Sequence, residues 1–102
     1  MPITDNDIIK NFFLGFIRLH ILYHASKEPI FGLWMIKELE RHGYSLSPGT
    51  LYPILHRMEK AGFLFSEEAL SKGKIRKYYR ITETGKQALS QAYAKMRELV
   101  HE

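Results

Sequence analysis

A run of apolar residues between positions 8 and 22 opens the chain, and it predicts an N-terminal helix over residues 5–26. The preceding segment Thr4-Asp5-Asn6-Asp7 resembles a capping box that would start this helix. The apolar positions cover most of the helical circumference instead of forming one stripe. Such a helix needs cover on two sides, so we expect the chain's own core on one side and a second subunit on the other.

Residues 31–62 have the pattern of two further helices joined by a short turn. Gly43 is expected to stop the first of them as a left-handed C-cap. The second contains the segment SPGTLYPILHRMEK, residues 47–60, and should end at Ala61-Gly62. On a helical wheel its apolar residues share one face, which predicts a core-facing side and a polar, exposed side. Residues 31–62 are therefore predicted to form a helix-turn-helix.

The start of the SPGTLYPILHRMEK helix can be placed in two ways. In one, Ser47 is the N-cap and Pro48 takes the first helical position, which proline favours. In the other, Thr50 is the N-cap and the segment before it is a stiff lead-in. We favour the second, because it puts Pro53 in the first turn, where a missing N–H costs nothing. Either start fixes the geometry of the N-terminus.

Residues 63–82 predict an antiparallel β-hairpin, with strands over 63–68 and 75–82 and a polar loop over 69–74. A last helix is predicted over residues 83–102, capped by Thr82 or Thr84. Its apolar positions step by three and four, as in a coiled-coil seam. These candidate dimerisation residues are Leu89, Ala92, Tyr93, Met96, Leu99 and Val100. The order of elements predicts one mostly α-helical domain, residues 1–102, with a winged helix-turn-helix between N- and C-terminal dimerisation helices.

Composition limits the chemistry of this domain. The chain has 102 residues, a formal net charge of +4 and no cysteine. Disulfides, thiolate metal sites and thiol catalysis are therefore excluded, and a basic chain suits an anionic partner. The charged residues before and within the first apolar run argue against a signal peptide and against a membrane span. We expect a cytoplasmic protein with no membrane association.

Many of the basic residues fall on the SPGTLYPILHRMEK helix and the hairpin, where they could contact a nucleic acid. The exposed side of the SPGTLYPILHRMEK helix offers side chains that can donate to phosphates or read base edges, and the hairpin adds basic groups near a glycine turn. Gly49 would let the backbone come close to DNA. The candidate DNA-binding residues are Ser47, Gly49, Thr50, Tyr52, His56, Arg57 and Lys60 on the helix, and Lys72, Lys74, Arg76 and Lys77 on the hairpin.

Three stretches, SPGTLYPILHRMEKAGFL, KYYRIT and TETGK, resemble the PadR family of winged-helix transcriptional regulators, in its class with a short C-terminal helix. The resemblance implies a homodimer that binds a double-stranded operator, usually as a repressor. Some family members bind small aromatic compounds near the dimer interface. The candidate lining residues for such an effector here are Phe12, Phe16, Trp34, Tyr93 and Met96. The chain departs from the family at Gly32-Leu33-Trp34 and at Glu68-Ala69-Leu70, and neither segment lies in the SPGTLYPILHRMEK helix.

Other functions receive less support from the sequence. His20 and His24 are four residues apart on a helix and could share a metal, but no third ligand is suggested nearby, so no metal site and no cofactor are predicted. No catalytic constellation or phosphate-binding glycine loop is present, which argues against an enzyme. The alternative to DNA binding is a winged-helix interaction module whose basic face docks an acidic protein.

Overall fold

The computed structural model describes residues 5–102, with side chains from Asp7 onward, so the cap predicted at Thr4 lies outside the described residues. Four helices and one antiparallel hairpin follow each other in the predicted order. They are α1 (Asp5–Lys27), α2 (Gly32–Arg41), α3 (Pro48–Lys60), β1 (Leu64–Ser71), β2 (Lys74–Ile81) and α4 (Glu83–Val100). The architecture is that of the predicted winged helix-turn-helix.

One hydrophobic core joins all six elements. Its α1 residues come from the second half of that helix, whereas the large apolar side chains nearer the N-terminal end are exposed. The core residues are Ile17, Ile21, Leu22, Ala25, Ile30, Met35, Leu39, Leu51, Ile54, Leu55, Met58, Leu64, Tyr79, Ile81 and Leu89. The helical wheel predicts Leu51, Ile54, Leu55, Met58 and Ala61 on the core-facing side of α3; the first four are buried, whereas Ala61 is the exposed C-cap.

The two helices of the helix-turn-helix end in the same way. Gly43 and Gly62 have φ values of 90° and 89°, a region that glycine enters without steric cost. At α3, the Gly62 and Phe63 amides donate to the carbonyls of Glu59 and Met58. Gly43 and Tyr44 repeat this arrangement at the end of α2. Both ends are Schellman motifs, as the sequence predicted for Gly43.

The start of α3 corrects our preferred interpretation. The helix begins at Pro48 with Ser47 as its N-cap, and the Ser47 carbonyl accepts from the amide of Leu51 at 3.0 Å. Pro53 therefore lies inside the helix, where it cannot donate to the Gly49 carbonyl. The fold tolerates this because Gly49 and Pro53 are both exposed, so the unpaired carbonyl does not enter the core.

The hairpin formed by β1 and β2 is called the wing below. Its first strand is longer and its turn is tighter than predicted. The strands run to Ser71 and resume at Lys74, so only Lys72 and Gly73 connect them. These two residues have φ values of 51° and 79°, the positive pair typical of a type I′ turn. Tyr79 in β2 also exchanges backbone hydrogen bonds with Ile30, at 2.7 and 3.0 Å. This bridge attaches the base of the wing to the segment before α2.

Thr82 is the N-cap of α4, since its hydroxyl accepts from the Gly85 amide at 3.0 Å. Leu89 packs into the chain's own core, so it is not available to a dimer seam as predicted. α4 packs on α1 and β2, and Leu99 and Val100 near its C-terminal end are exposed. Among residues 5–102, no helix is both long and apolar enough to cross a bilayer.

Candidate nucleic-acid interface

The outward side of α3 carries the side chains that could meet DNA. Because Leu51, Ile54, Leu55 and Met58 turn into the core, the helical period directs Tyr52, His56 and Lys60 outward. Ser47, Gly49 and Thr50 are exposed at the N-terminal end, where the Ser47 and Thr50 hydroxyls are 3.3 Å apart. Pro48 has no N–H, and the amides of Thr50 and Leu51 both donate to the Ser47 carbonyl at 3.0 Å, so few backbone donors remain for an anion at this end.

Tyr52 is held in place by α2. A Cβ added to Gly32, the first residue of α2, would lie 2.7 Å from the Tyr52 hydroxyl and closer still to the ring. The ring therefore rests on the bare backbone of Gly32, and 42% of the residue remains exposed. The segment around Gly32, where the chain departs from the family pattern, thus fixes the position of a candidate DNA contact.

Glu59 connects α3 to both strands of the wing. Its carboxylate accepts a hydrogen bond from the Ser66 hydroxyl in β1 and lies 3.5 Å from the Lys77 ammonium in β2. The hydrogen bond from Ser66 lowers the pKa of Glu59, and Lys77 acts in the same direction against the effect of burial. This three-residue link holds the wing at a fixed position relative to the helix.

The link produces a groove shared by α3 and the wing. Tyr52, Pro53 and His56 form its helical wall, and Lys77 and Tyr79 form its β2 wall. The Lys77 ammonium lies 5.5 Å from the centre of the Tyr79 ring. Tyr79 first, and Glu59 as well, raise the pKa of Lys77, so the ammonium stays charged at the edge of the groove.

Arg76 is on the other face of the wing. Its guanidinium lies 4.3 Å from the centre of the Phe31 ring, and Tyr78 contacts the same ring at 5.5 Å. Strand alternation causes this, because residues 76 and 78 point away from the side that carries Lys77 and Tyr79. The structure therefore does not bring Arg76 into the groove beside α3, although the sequence grouped it with Lys77.

The remaining candidates lie outside the lining of this groove. Lys72 and Lys74 are exposed at the tip of the wing. Lys60 is exposed at the end of α3. Arg57 is on the opposite flank of that helix, in a cleft with Arg18 of α1 and Phe63. Arg57 is thus separated from the wing by the width of the helix.

The wing also exposes an apolar pair that the sequence analysis missed. Leu70 and Ile75 are opposite each other near the turn, and both are largely exposed. Side-chain alternation within strands 64–71 and 74–81 could have indicated the pair, but the sequence analysis predicts a loop at Leu70. A cross-strand apolar pair stabilises the hairpin by packing.

A separate cleft of about 250 Å³ lies between α1, the end of α2 and α4. It contains three of the five predicted effector residues, Phe16, Tyr93 and Met96. Phe12 and Trp34 are outside its lining: Phe12 stacks on Phe16 at 5.6 Å, and Trp34 contacts His24 edge-on at 5.3 Å. His20, His24 and His42 line the same cleft, so a third histidine does accompany the pair seen in the sequence.

Both helices expected to form the dimer surface, α1 and α4, carry exposed apolar side chains. Near the N-terminal end of α1, the apolar side chains of Ile8, Ile9, Phe12 and Phe13 are exposed. On α4, the exposed members are Tyr93, Leu99 and Val100, with Ala92 and Met96 partly buried. Contiguous apolar surface of this kind marks an interaction site in many proteins.

The helix-turn-helix, the exposed α3 and the wing define a winged-helix protein of the DNA-binding class. Comparison with known proteins identifies the family within this class. The model of the transcriptional regulator PadR-like family matches residues 21–91. The chain is 45% identical over 94 residues, 92% of its length and 88% of the relative's, to the transcriptional regulator Rv3488 of Mycobacterium tuberculosis.

Solved structures agree. A PadR-like transcription factor from Bacteroides fragilis superposes with a TM-score of 0.80 at 29% identity, over 93% of each chain. A PadR family transcriptional regulator from Eggerthella lenta gives 0.73 at 32% identity, over 94% of this chain and 88% of that one. The chain therefore belongs to the PadR-like family, and it is a DNA-binding transcriptional regulator rather than an enzyme.

Proposed function

We propose that the chain acts as a homodimeric repressor that recognises a specific double-stranded operator. Each α3 enters a major groove and reads base edges with Tyr52 and His56, while Lys72, Lys74 and Lys77 hold phosphates from the wing. Base contacts carry the specificity and phosphate contacts carry much of the affinity.

The observation that carries the proposal is the groove between α3 and β2. Its walls combine exposed α3 residues with Lys77, so a base-reading side chain and a phosphate-binding ammonium face the same space. The Glu59 link to Ser66 and Lys77 keeps the two walls in register. A DNA backbone next to α3 would therefore meet the wing without rearrangement of either element.

Dimerisation is supported by the uncovered apolar residues of α1 and α4. Ile8, Phe12 and Leu99 expose 54%, 57% and 71% of their surface, which is unfavourable in water unless a partner covers them. Pairing through these two helices would present two copies of α3 to one duplex. Half-sites would then lie about one helical turn, ~34 Å, apart. A dimer bound across them would block access of other proteins to that DNA, which is why we propose repression.

Relief by a small aromatic compound is the last part of the proposal. The apolar side chains of Phe16, Tyr93 and Met96 in the cleft support it. Fluorescence of Trp34 reports on this site, because its ring contacts His24 in the cleft wall. Planar aromatic compounds should change the fluorescence and release DNA. An unchanged signal and unchanged DNA binding across a broad panel would contradict an aromatic effector.

The direct test is selection of bound duplexes from a random pool, followed by titration of the recovered site. A palindromic site should emerge. If the dimer neutralises ~6–10 phosphates, affinity should fall by roughly 10³–10⁵ between 50 and 200 mM salt. Recovery of no common sequence, or a salt-independent affinity, would overturn the proposal.

Single substitutions can separate base recognition from phosphate binding. His56→Ala should relax the preference at one base position, whereas Lys74→Ala should weaken all sequences equally and reduce the salt slope by about 1. Lys95→Ala, which removes the same charge from an exposed site on α4, is the matched control and should change neither. Identical effects of all three variants would show that α3 and the wing do not contact the duplex.

A further inference from the structure

Three histidines, two from α1 and one from the end of α2, meet in the cleft between α1, α2 and α4. His20 and His24 are one turn apart on α1, and His42 is the C-cap of α2. One ring nitrogen from each lies within 4.8 Å of those of the other two. The His20 and His42 rings are 4.7 Å apart, and those of His20 and His24 are stacked at 6.3 Å.

Glu38 lies beside these rings as a nearly buried carboxylate, with 9% of the residue exposed. Its Oε2 is 3.2 Å from His42 Nε2 and 3.4 Å from His24 Nε2, while its other oxygen accepts from Arg41 at 2.8 Å. A carboxylate in this position orients two imidazoles and contributes a negative charge. Metal-binding histidines are typically oriented by such a neighbour.

The rings are suited to binding a cation as neutral ligands. Burial lowers the pKa of His20, and the neighbouring His42 and His24 lower it further. Burial is also the main reason why the pKa of His24 is lowered, although Glu38 opposes it. Neutral imidazole is the form that binds a metal. The cleft, which all three rings line, gives access from solvent.

The three histidine side chains would need to move only a short distance to bind one metal ion. In a tetrahedral site with Zn–N distances of about 2.0–2.1 Å, neighbouring ligand nitrogens are about 3.4 Å apart. Nitrogens already within 4.8 Å need to approach one another by no more than about 1.4 Å to reach that separation. Three imidazoles leave one tetrahedral position for solvent or a fourth ligand.

We propose that His20, His24 and His42 bind one divalent transition-metal ion per chain, of the class of Zn²⁺, with Glu38 as the positioning residue. Imidazole nitrogens with an adjacent carboxylate suit zinc and its first-row neighbours better than the oxygen-preferring Mg²⁺ or Ca²⁺. The ion would connect α1 to the C-terminal end of α2, next to the turn that leads into α3. Binding of the ion does not depend on the DNA-binding proposal.

The test uses the full chain without a histidine tag, freed of metal by a chelator. Titration with zinc chloride in a calorimeter should give one ion per chain. X-ray absorption at the zinc edge should show nitrogen ligands at about 2.0–2.1 Å, with the outer-shell pattern of imidazole. The melting temperature should rise with zinc, because the ion binds the folded arrangement. Magnesium at the same concentration should give neither heat nor stabilisation.

Variants identify the site. His42→Ala should weaken zinc binding at least about 100-fold, since loss of an orienting neighbour alone costs ~10–100-fold. The His42 side chain is 40% exposed, so its removal leaves the core intact. His20→Gln, which keeps a side chain of similar reach, should produce a comparable loss. His101→Ala, on an exposed histidine at the end of α4, is the control and should bind as the unmodified chain does.

Glu38→Gln tests the positioning role separately. It should retain the nitrogen ligands in the absorption spectrum while binding zinc more weakly. The whole proposal is overturned if the unmodified chain takes up no zinc in stoichiometric amounts, if the spectrum shows only oxygen ligands, or if His42→Ala and His20→Gln bind as His101→Ala does. DNA binding is measured independently of these results, so failure here leaves the operator proposal standing.

Discussion

The groove between α3 and the wing and the surface of α1 and α4 both lie outside the core, but they expose opposite chemistry. Around the groove, the exposed groups are a phenol, an imidazole and ammonium ions, and a pair of ionic and hydrogen-bonding contacts fixes its walls. On α1 and α4, the exposed groups include isoleucine, phenylalanine, leucine and valine side chains that no part of residues 5–102 covers.

This difference assigns the two surfaces to different partners. Polar groups can remain hydrated until a charged ligand replaces water, so the groove is stable in an isolated chain. Exposed apolar side chains gain free energy from any apolar surface that covers them. The first surface therefore suits reversible binding of an anion, and the second suits the association with a second copy that we propose.

The largest expected effect is at the apolar surface. Leu99→Glu should convert the proposed dimer to monomers, because an unpaired buried charge costs about 3–5 kcal/mol. Leu70→Glu is the matched control, since leucines 99 and 70 expose 71% and 75% of their surface. Analytical ultracentrifugation measures both. If the two variants sediment alike, the comparison between the surfaces is wrong.

A smaller effect is expected where α2 supports the groove. Gly32→Ala should displace the Tyr52 ring, because a Cβ would overlap it. The ring can swing outward, so we expect a loss of operator affinity of about tenfold, ~1.4 kcal/mol, with little change in unfolding free energy. A double-mutant cycle with Tyr52→Ala tests the cause. Additive losses from the two changes would mean that Gly32 acts through something other than Tyr52.

At the start of α3, Gly49→Ala should separate folding from binding. An added Cβ has space, with Ser47 Oγ the nearest atom at 3.8 Å, and alanine favours a helix by up to about 1 kcal/mol. Thermal unfolding should therefore show equal or higher stability. Operator binding should weaken several-fold if the DNA backbone comes as close to Gly49 as we propose. An unchanged affinity would place the DNA farther from this end of the helix.

The smallest effect concerns pH at the Glu59 link. The pKa of Glu59 in the folded chain is lowered from its ordinary value of 4.5, mainly by the Ser66 hydrogen bond. The stability it contributes is fully present above pH 4.5 and is lost as the pH falls through the lower, folded value. Glu59→Gln should reduce this acid sensitivity by less than about 1 kcal/mol in chemical unfolding at several pH values. A variant with the same pH profile as the unmodified chain would contradict the link.

Much of the secondary structure followed from local patterns. The predicted helix over residues 5–26 corresponds to Asp5–Lys27, and Gly43 stops α2 as expected. These features depend on neighbouring residues alone: periodicity, a proline that breaks a helix and a glycine that adopts positive φ. The same rules left two starts open for α3, and the predicted N-cap at Thr50 is wrong: Ser47 caps the helix, and the preference of Pro48 for the first helical position outweighs the hydrogen bond lost at Pro53.

Side-chain neighbourhoods were less predictable. Leu89 has the spacing of a seam residue but is buried against the chain's own core. Arg76 and Lys77 are adjacent in sequence yet point to opposite faces of the wing, Arg76 to Phe31 and Lys77 to Glu59. His42 gave no local sign that it would join His20 and His24, because the contact joins residues 18 or more positions apart.

The sequence by itself determined the order of the elements, the family and the concentration of basic groups on one helix and one hairpin, since each depends on short-range periodicity and on residue type. The tertiary structure alone decided which exposed groups share a space. Lys77 joins the α3 groove and the three histidines meet because packing of the core rotates each element to a particular angle, and no pattern within an element specifies that angle.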